Sequence, residues 1–215
     1  WEHDSVPSLG NILYRQSFFP AASIFKTVTA AATFETTGFT AKSSIKHTGR
    51  NYTLYKFQLE PELKVYKDIS FEDAFVRSIN PAFGRIGIHV LKKGTLVQYG
   101  KRFGFDTAIP FDLPVEQSYL MKPDSAFAIA ELASGFNQKT TLSPLHGALI
   151  ASAISEQGIM PQPYVVDSVQ ENNINVYGAE PQNWKTAIQQ GTANKVKKFM
   201  ISVARKGTAR KSFST

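Results

Sequence analysis

Two short stretches hold side chains whose types and spacing suit acyl transfer. The first is Ser23-Ile24-Phe25-Lys26, which follows Phe19-Pro20-Ala21-Ala22 and opens an alanine-rich run. A serine in the first turn of a helix, with a lysine three residues on, puts both side chains on the same face. The serine N–H then lies among the unpaired N–H groups of the helix start, where positive potential favours a developing oxyanion. A lysine held against a hydroxyl and partly desolvated can lose its proton near neutral pH and act as a base. The second stretch is Ser78-Ile79-Asn80, between two expected helices. It presents a hydroxyl and an amide from one loop, which suits a proton relay beside a Ser–Lys pair and a grip on a substrate carbonyl or N–H. Taken singly, each has a plainer reading: a helix cap with a snorkelling lysine, and a turn with its cap.

The elements that must position these groups read as mostly helical. Ser23 to Glu35 is an apolar helix ended near Gly38, and residues 41–67 suggest a short hairpin or extended excursion. Ser70-Phe-Glu-Asp is a capping-box pattern that opens a helix through about Ser78. Further helices are expected at Phe83–Leu91, Thr95–Phe103, 124–133 (with Gly135 after it) and 144–156, the last begun by Pro144 and stopped by Gly158. Residues 105–122 read as part-extended, 163–169 as a strand, and Trp184–Val203 as one long amphipathic helix or two shorter ones.

Composition narrows the function classes. The chain has 215 residues and a formal net charge of +7, with no cysteine and four histidines. That length fits one domain, and the absence of cysteine excludes disulfides, thiolate metal sites and a cysteine nucleophile. His3, His47, His89 and His146 show no metal-ligand spacing, and His146 reads as a structural core histidine. The net charge comes from residues 181–215, where Lys185, Lys195, Lys197, Lys198, Arg205, Lys206, Arg210 and Lys211 meet no acid. A solvated helix face explains that segment better than a nucleic-acid site. Glu72, Asp73, Asp106 and Asp112 read as caps and turn formers. Apolar stretches stop short of the ~20 residues that span a bilayer.

In context, the two short motifs carry a resemblance. Phe-Pro-Ala-Ala-Ser-Ile-Phe-Lys-Thr-Val-Thr-Ala-Ala-Ala resembles the nucleophile segment of penicillin-binding protein transpeptidase domains. Phe-Glu-Asp-Ala-Phe-Val-Arg-Ser-Ile-Asn-Pro-Ala-Phe resembles their second motif, and Ser134-Gly-Phe-Asn-Gln-Lys-Thr-Thr-Leu-Ser-Pro-Leu-His-Gly, with Pro163-Tyr-Val-Val after it, resembles their active-site loop and following helix. The likeness runs from residue 17 to about 215. It implies an α+β fold: the mostly helical lobe of the penicillin-binding/β-lactamase-like fold, with helices around a central antiparallel sheet. The third motif of the family, Lys-Thr-Gly on a sheet strand, is not spelled here. Arg205-Lys206-Gly207-Thr208-Ala209 is a degenerate candidate, but the run from Phe199 looks more like the Gly-Thr-Ala segment that precedes that motif. On this reading residues 1–215 form one transpeptidase domain that is incomplete at both ends, with much of its sheet absent, and that turns over substrate poorly by itself.

The resemblance assigns roles. Ser23 attacks the D-Ala-D-Ala carbonyl of a peptidoglycan stem peptide, Lys26 is its base, Ser78 relays a proton to the leaving nitrogen, and Asn80 bonds the substrate or Lys26. Gly135 and Asn137 are expected to contact substrate. β-Lactams acylate the same serine. No cofactor, metal or nucleic acid is implied. The expected setting is the periplasmic, extracytoplasmic face of a bacterial inner membrane, with room for a membrane anchor outside this chain and a cell-wall synthesis complex. Alternatives are a non-catalytic or β-lactam-sensing relative and a Ser-x-x-Lys β-lactamase.

Overall fold

The computed structural model describes residues 16–213; Trp1 and His3 lie outside them. In chain order the elements are β1 (Phe19–Pro20), α1 (Phe25–Thr36), β2 (Ser44–His47), β3 (Lys67–Ser70), α2 (Phe71–Val76), α3 (Asn80–Arg85), α4 (Lys92–Arg102), α5 (Ala126–Ser134), β4 (Thr141–Leu142), α6 (Pro144–Ser155), β5 (Ile159–Pro161), β6 (Ser168–Glu171), β7 (Ile174–Gly178), β8 (Asn183–Thr186), α7 (Gln190–Lys206) and α8 (Arg210–Phe213). Short 3₁₀ turns cover Ala22–Ile24 and Lys56–Leu59, and a π-helical stretch, Ile86–Leu91, joins α3 to α4. The strands pair antiparallel in twos: β1 with β4, β2 with β3, β5 with β8 and β6 with β7.

Helix α1 is the axis of the molecule. Every residue from Phe25 to Phe34 is buried, so the helix is covered all round, as its small-residue run Ala30-Ala31-Ala32 permits. Around its C-terminal half Phe34, Phe71 and Phe199 form a ring cluster with centroids 5.0–5.3 Å apart, joining α1, the start of α2, and α7. At the same end Glu35 accepts hydrogen bonds from the Tyr99 hydroxyl, the Arg102 guanidinium and the Gln189 N–H, which ties α4 and the start of α7 to α1. Its side chain is only 6% exposed.

Four readings of the sequence need correction. The excursion over 41–67 is not a local hairpin: β2 pairs with β3 across a 19-residue connection, Ser44 opposite Ser70 and His47 opposite Lys67. Tyr52, Leu54, Phe57 and Leu59 belong to that connection, whose alternation is broken by the 3₁₀ turn. Residues 163–167 are irregular, and the strand expected there begins at Ser168 as half of the β6–β7 hairpin. Trp184 lies on β8, at the irregularity between the pairs Met160–Lys185 and Pro161–Asn183, so the amphipathic helix starts at Gln190. The helix expected from Thr95 begins at Lys92, whose φ of 63° breaks the chain direction after the π-helical stretch. Of the capping-box pattern the structure keeps the N-cap half: Ser70 Oγ accepts from Asp73 N at 3.0 Å, while the Asp73 carboxylate accepts from the Ser70 hydroxyl instead of its N–H, and the helix ends at Val76.

The basic C-terminal segment is a solvated helix face. Lys195, Lys197 and Lys198 point outward on α7 while Ala193, Val196 and Phe199 are buried.

Candidate active site

Ser23 lies in the 3₁₀ turn that leads into α1, exposed, while Lys26 one turn on is 2% exposed. The spacing brings Lys26 Nζ 2.9 Å from Ser23 Oγ. The same ammonium is 2.8 Å from Asn80 Oδ1 and 2.7 Å from the Ser134 carbonyl at the end of α5. Ser78 Oγ is 2.9 Å from Ser23 Oγ. The structure therefore gathers Ser23, Lys26, Ser78 and Asn80 into one hydrogen-bonded cluster.

The cluster explains what Lys26 can do. Burial pushes its pKa down from the ordinary 10.5 to about 7, because the charged form has lost its water. A neutral amine has two N–H donors and one lone pair. Asn80 Oδ1 and the Ser134 carbonyl take the donors, so the lone pair is left facing the Ser23 hydroxyl. That arrangement turns an ordinary lysine into an acceptor for the Ser23 proton.

Backbone strain sets the hydroxyls in place. Ala22 and Ser78 have φ of 45° and 53°, a region that side-chain-bearing residues rarely occupy. The Ala22 turn is held by Ala21 N–H donating to the Thr140 carbonyl at 2.8 Å. Ser78 and Ile79 are held by N–H bonds to the Phe75 and Ala74 carbonyls, both 2.9 Å, and Asn80 N–H donates to the Asn51 carbonyl at 2.7 Å.

Gly135 and Asn137 both stand in the loop that follows α5. Gly135 caps α5 with φ +69°, and a Cβ there would stand 1.8 Å from the Ala22 carbonyl oxygen. Its role is close approach to the Ser23 turn. The Asn137 side chain is engaged by its own loop: Oδ1 accepts from Lys139 N at 3.0 Å and Thr140 N at 2.7 Å, and Nδ2 donates to the Glu131 carbonyl at 3.2 Å. It anchors the loop through these bonds, and the second N–H of Nδ2 is not taken up by them. The Ser134 carbonyl escaped sequence reading; the available signal was its place at a helix end, where carbonyls lack intrahelical partners.

A groove of about 350 Å³ opens beside Ser23, walled by Ile24, Phe75, Met200, Val203 and Phe213 among others, with no acid among its lining residues. Thr208 and Ala209 border the groove, but Lys206 does not: its ammonium is 3.3 Å from Glu72 and 3.9 Å from Asp73 on α2. The other acids also serve local structure. Asp106 accepts from Leu120 N, and Asp112 accepts from Val165 N and Val166 N. His146 is fully buried, with Nε2 2.7 Å from the Phe103 carbonyl, and burial lowers its pKa to about 4. No cluster of histidine and carboxylate suited to a metal occurs among the described residues.

The sequence matches the penicillin binding protein transpeptidase domain family over residues 6–214. The chain belongs to that family. Curated relatives include the peptidoglycan D,D-transpeptidase PbpA of Mycobacterium tuberculosis, 30% identical over 191 residues, 85% of this chain and 38% of the relative. The PbpA of Mycolicibacterium smegmatis is 27% identical over 86% of this chain and 38% of its own length. The chain thus spans about two fifths of the curated relatives it matches. Among solved structures, the ceftriaxone acyl-enzyme complex of penicillin-binding protein A from M. tuberculosis superposes with a TM-score of 0.75 at 25% identity, over 88% of this chain and 43% of that one. A D,D-transpeptidase domain from Eggerthella lenta shares the fold, with a TM-score of 0.74 at 23% identity over 89% of this chain and 50% of that one. The fold is the α+β fold of penicillin-binding transpeptidase domains. Among the described residues no helix is long and apolar enough to cross a membrane.

Proposed function

We propose that the chain carries the acylation centre of a peptidoglycan D,D-transpeptidase acting outside the cytoplasm. The observation that carries the reading is the buried Lys26, its two donors fixed by Asn80 and Ser134 and its lone pair on Ser23. As Ser23 Oγ bonds to the D-Ala-D-Ala carbonyl carbon, its proton passes to Lys26 Nζ. The tetrahedral oxyanion sits near the Ser23 N–H at the start of α1, where the helix dipole favours negative charge. Ser78 Oγ, 2.9 Å from Ser23 Oγ, passes a proton to the departing amine as the C–N bond breaks and takes in its place the proton held on Lys26, leaving an ester on Ser23, a neutral Lys26 and free D-Ala. The amine of a neighbouring stem then takes the acyl group and restores Ser23. β-Lactams present a similar strained amide and stop at the ester.

Among the described residues no carboxylate lines the groove to activate water, which favours a long-lived acyl-enzyme over β-lactamase turnover. The test is intact-mass analysis with and without benzylpenicillin, beside labelling by a fluorescent penicillin. The reading expects one stable penicilloyl adduct, absent in Ser23→Ala. An unmodified mass, or an adduct that survives Ser23→Ala, refutes it.

A further inference from the structure

The connection between β2 and β3 displays aromatic surface that the acylation centre does not use. Tyr52, Tyr55 and Phe57 are 61%, 55% and 57% exposed. The Tyr55 and Phe57 rings lie nearly parallel, 13° apart in plane with centroids 5.9 Å apart. The backbone beneath them is fixed from within. Gln58 is fully buried; its Oε1 accepts from Tyr55 N at 2.8 Å, and its Nε2 donates to the Thr48 carbonyl at 2.9 Å and to Thr53 Oγ1 at 3.1 Å. Arg85 holds the far end through the Glu60 and Pro61 carbonyls. The near end is bonded to the site itself, since the Asn51 carbonyl accepts the N–H of Asn80, the residue that orients Lys26.

Lys56, which separates the two ring residues in the chain, and Leu59 line a cavity of about 440 Å³. Leu59, Ile88 and Phe127 give it apolar walls, and Glu60, His89 and Ser125 give it polar ones. Flat aromatic surface beside an apolar pocket with a few polar groups suits a pyranose, whose C–H faces stack while its hydroxyls bond at the edge. The cavity reaches Ser125, which caps α5, and the other end of α5 supplies the Ser134 carbonyl to Lys26. The nine residues of α5 span about 13 Å at 1.5 Å per residue. The acyl part of a stem peptide, about four residues once the terminal D-Ala is left out, reaches about 14 Å when extended. A stem peptide with its carboxyl end at Ser23 is therefore long enough to bring its sugar to this cavity.

We propose that Tyr55, Phe57 and the adjoining cavity form a subsite for the glycan strand of peptidoglycan, which fixes the strand while its peptide enters the Ser23 groove. The inference deepens the transpeptidase reading and rests on it. The test is co-sedimentation of the 215-residue chain with glycan strands stripped of their stem peptides, in about 0.5 M salt to screen the basic α7 face. Penicillin acylation and the thermal midpoint are measured in parallel. The wild-type chain is expected to bind the stripped strands. Tyr55→Ala with Phe57→Ala is expected to weaken binding about tenfold, the scale of two lost ring contacts, with acylation and midpoint unchanged. Exchanging the rings (Tyr55→Phe with Phe57→Tyr) is expected to retain binding. Failure of the wild-type chain to bind stripped strands while penicillin still acylates it overturns the subsite alone. Equal binding by the alanine and wild-type chains also overturns it. Loss of acylation with strand binding intact counts against the transpeptidase reading and leaves the subsite supported.

Discussion

Replacing Lys26 with methionine removes the charge and keeps much of the shape, which makes the lysine's titration visible in the stability of the fold. In the native chain Lys26 titrates at about 7 against 10.5 when free in water. Between those values the unfolded chain holds a proton that the folded chain has lost, so unfolding becomes harder as pH rises through the window. At 1.36 kcal/mol per unit the whole shift is worth about 5 kcal/mol, and roughly 3 kcal/mol of it appears between about pH 7 and pH 9.5. In Lys26→Met that gain is absent. The variant also leaves Asn80 Oδ1 and the Ser134 carbonyl without their donor, about 1–3 kcal/mol each, but this loss does not vary with pH and drops out of the comparison. The assay is urea unfolding of both chains at the two pH values. The stability difference, wild type minus variant, is expected to rise by about 3 kcal/mol from the lower to the higher pH. Parallel behaviour of the two chains would mean that Lys26 is charged in the fold at neutral pH, and the argument for a lysine base would fall with it.

Three further outcomes follow from the same geometry. Asn80→Asp places a carboxylate 2.8 Å from Lys26 Nζ, so the lysine should hold its proton above pH 7; penicillin acylation should fall about tenfold at neutral pH and recover as pH rises, measured as a pH–rate profile. Gly135→Ala drives a Cβ into the Ala22 carbonyl at φ +69°, and is expected to cost about 2–5 kcal/mol by thermal unfolding and to slow acylation of Ser23. Glu35→Gln weakens the junction of α1, α4 and α7 by about 1–3 kcal/mol. In that variant the Tyr99 phenol, pushed up to about 12 by burial and by Glu35, should titrate nearer its usual 10, read by the ultraviolet absorbance of tyrosinate.

The chemistry was legible where it depends on local spacing. Ser23 and Lys26 are three residues apart, one in the 3₁₀ turn and the other in the first turn of α1 that continues it, so their meeting is fixed by local helical geometry, and Ser78 and Asn80 share one turn. That the two pairs meet each other depends on a chain separation of 55 residues and entered through resemblance. The Ser134 carbonyl is a backbone atom whose use depends on where α5 ends, and residue identity carries no mark of it. The substrate contact expected of Asn137 came from the resemblance, and the loop bonds its side-chain oxygen makes to Lys139 N and Thr140 N are not marked in the sequence. Strand pairing was least legible. β2 and β3 find each other across a long connection, and Trp184 follows Met160 into a strand although its neighbours continue a helical pattern.

The left-handed backbone at Ala22 and Ser78 has a consequence for how this chain can change. Each position holds the fold in a conformation about 1–2 kcal/mol above its alternatives, so random stabilising substitutions have an easy target there. Glycine at either position would release that strain and yield a tougher, slower protein. Selection for thermal endurance and selection for reactive serine geometry therefore pull these two residues in opposite directions. A laboratory lineage evolved only for heat resistance should lose its reactivity toward penicillin first at residues 22 and 78, before any change reaches Ser23 itself.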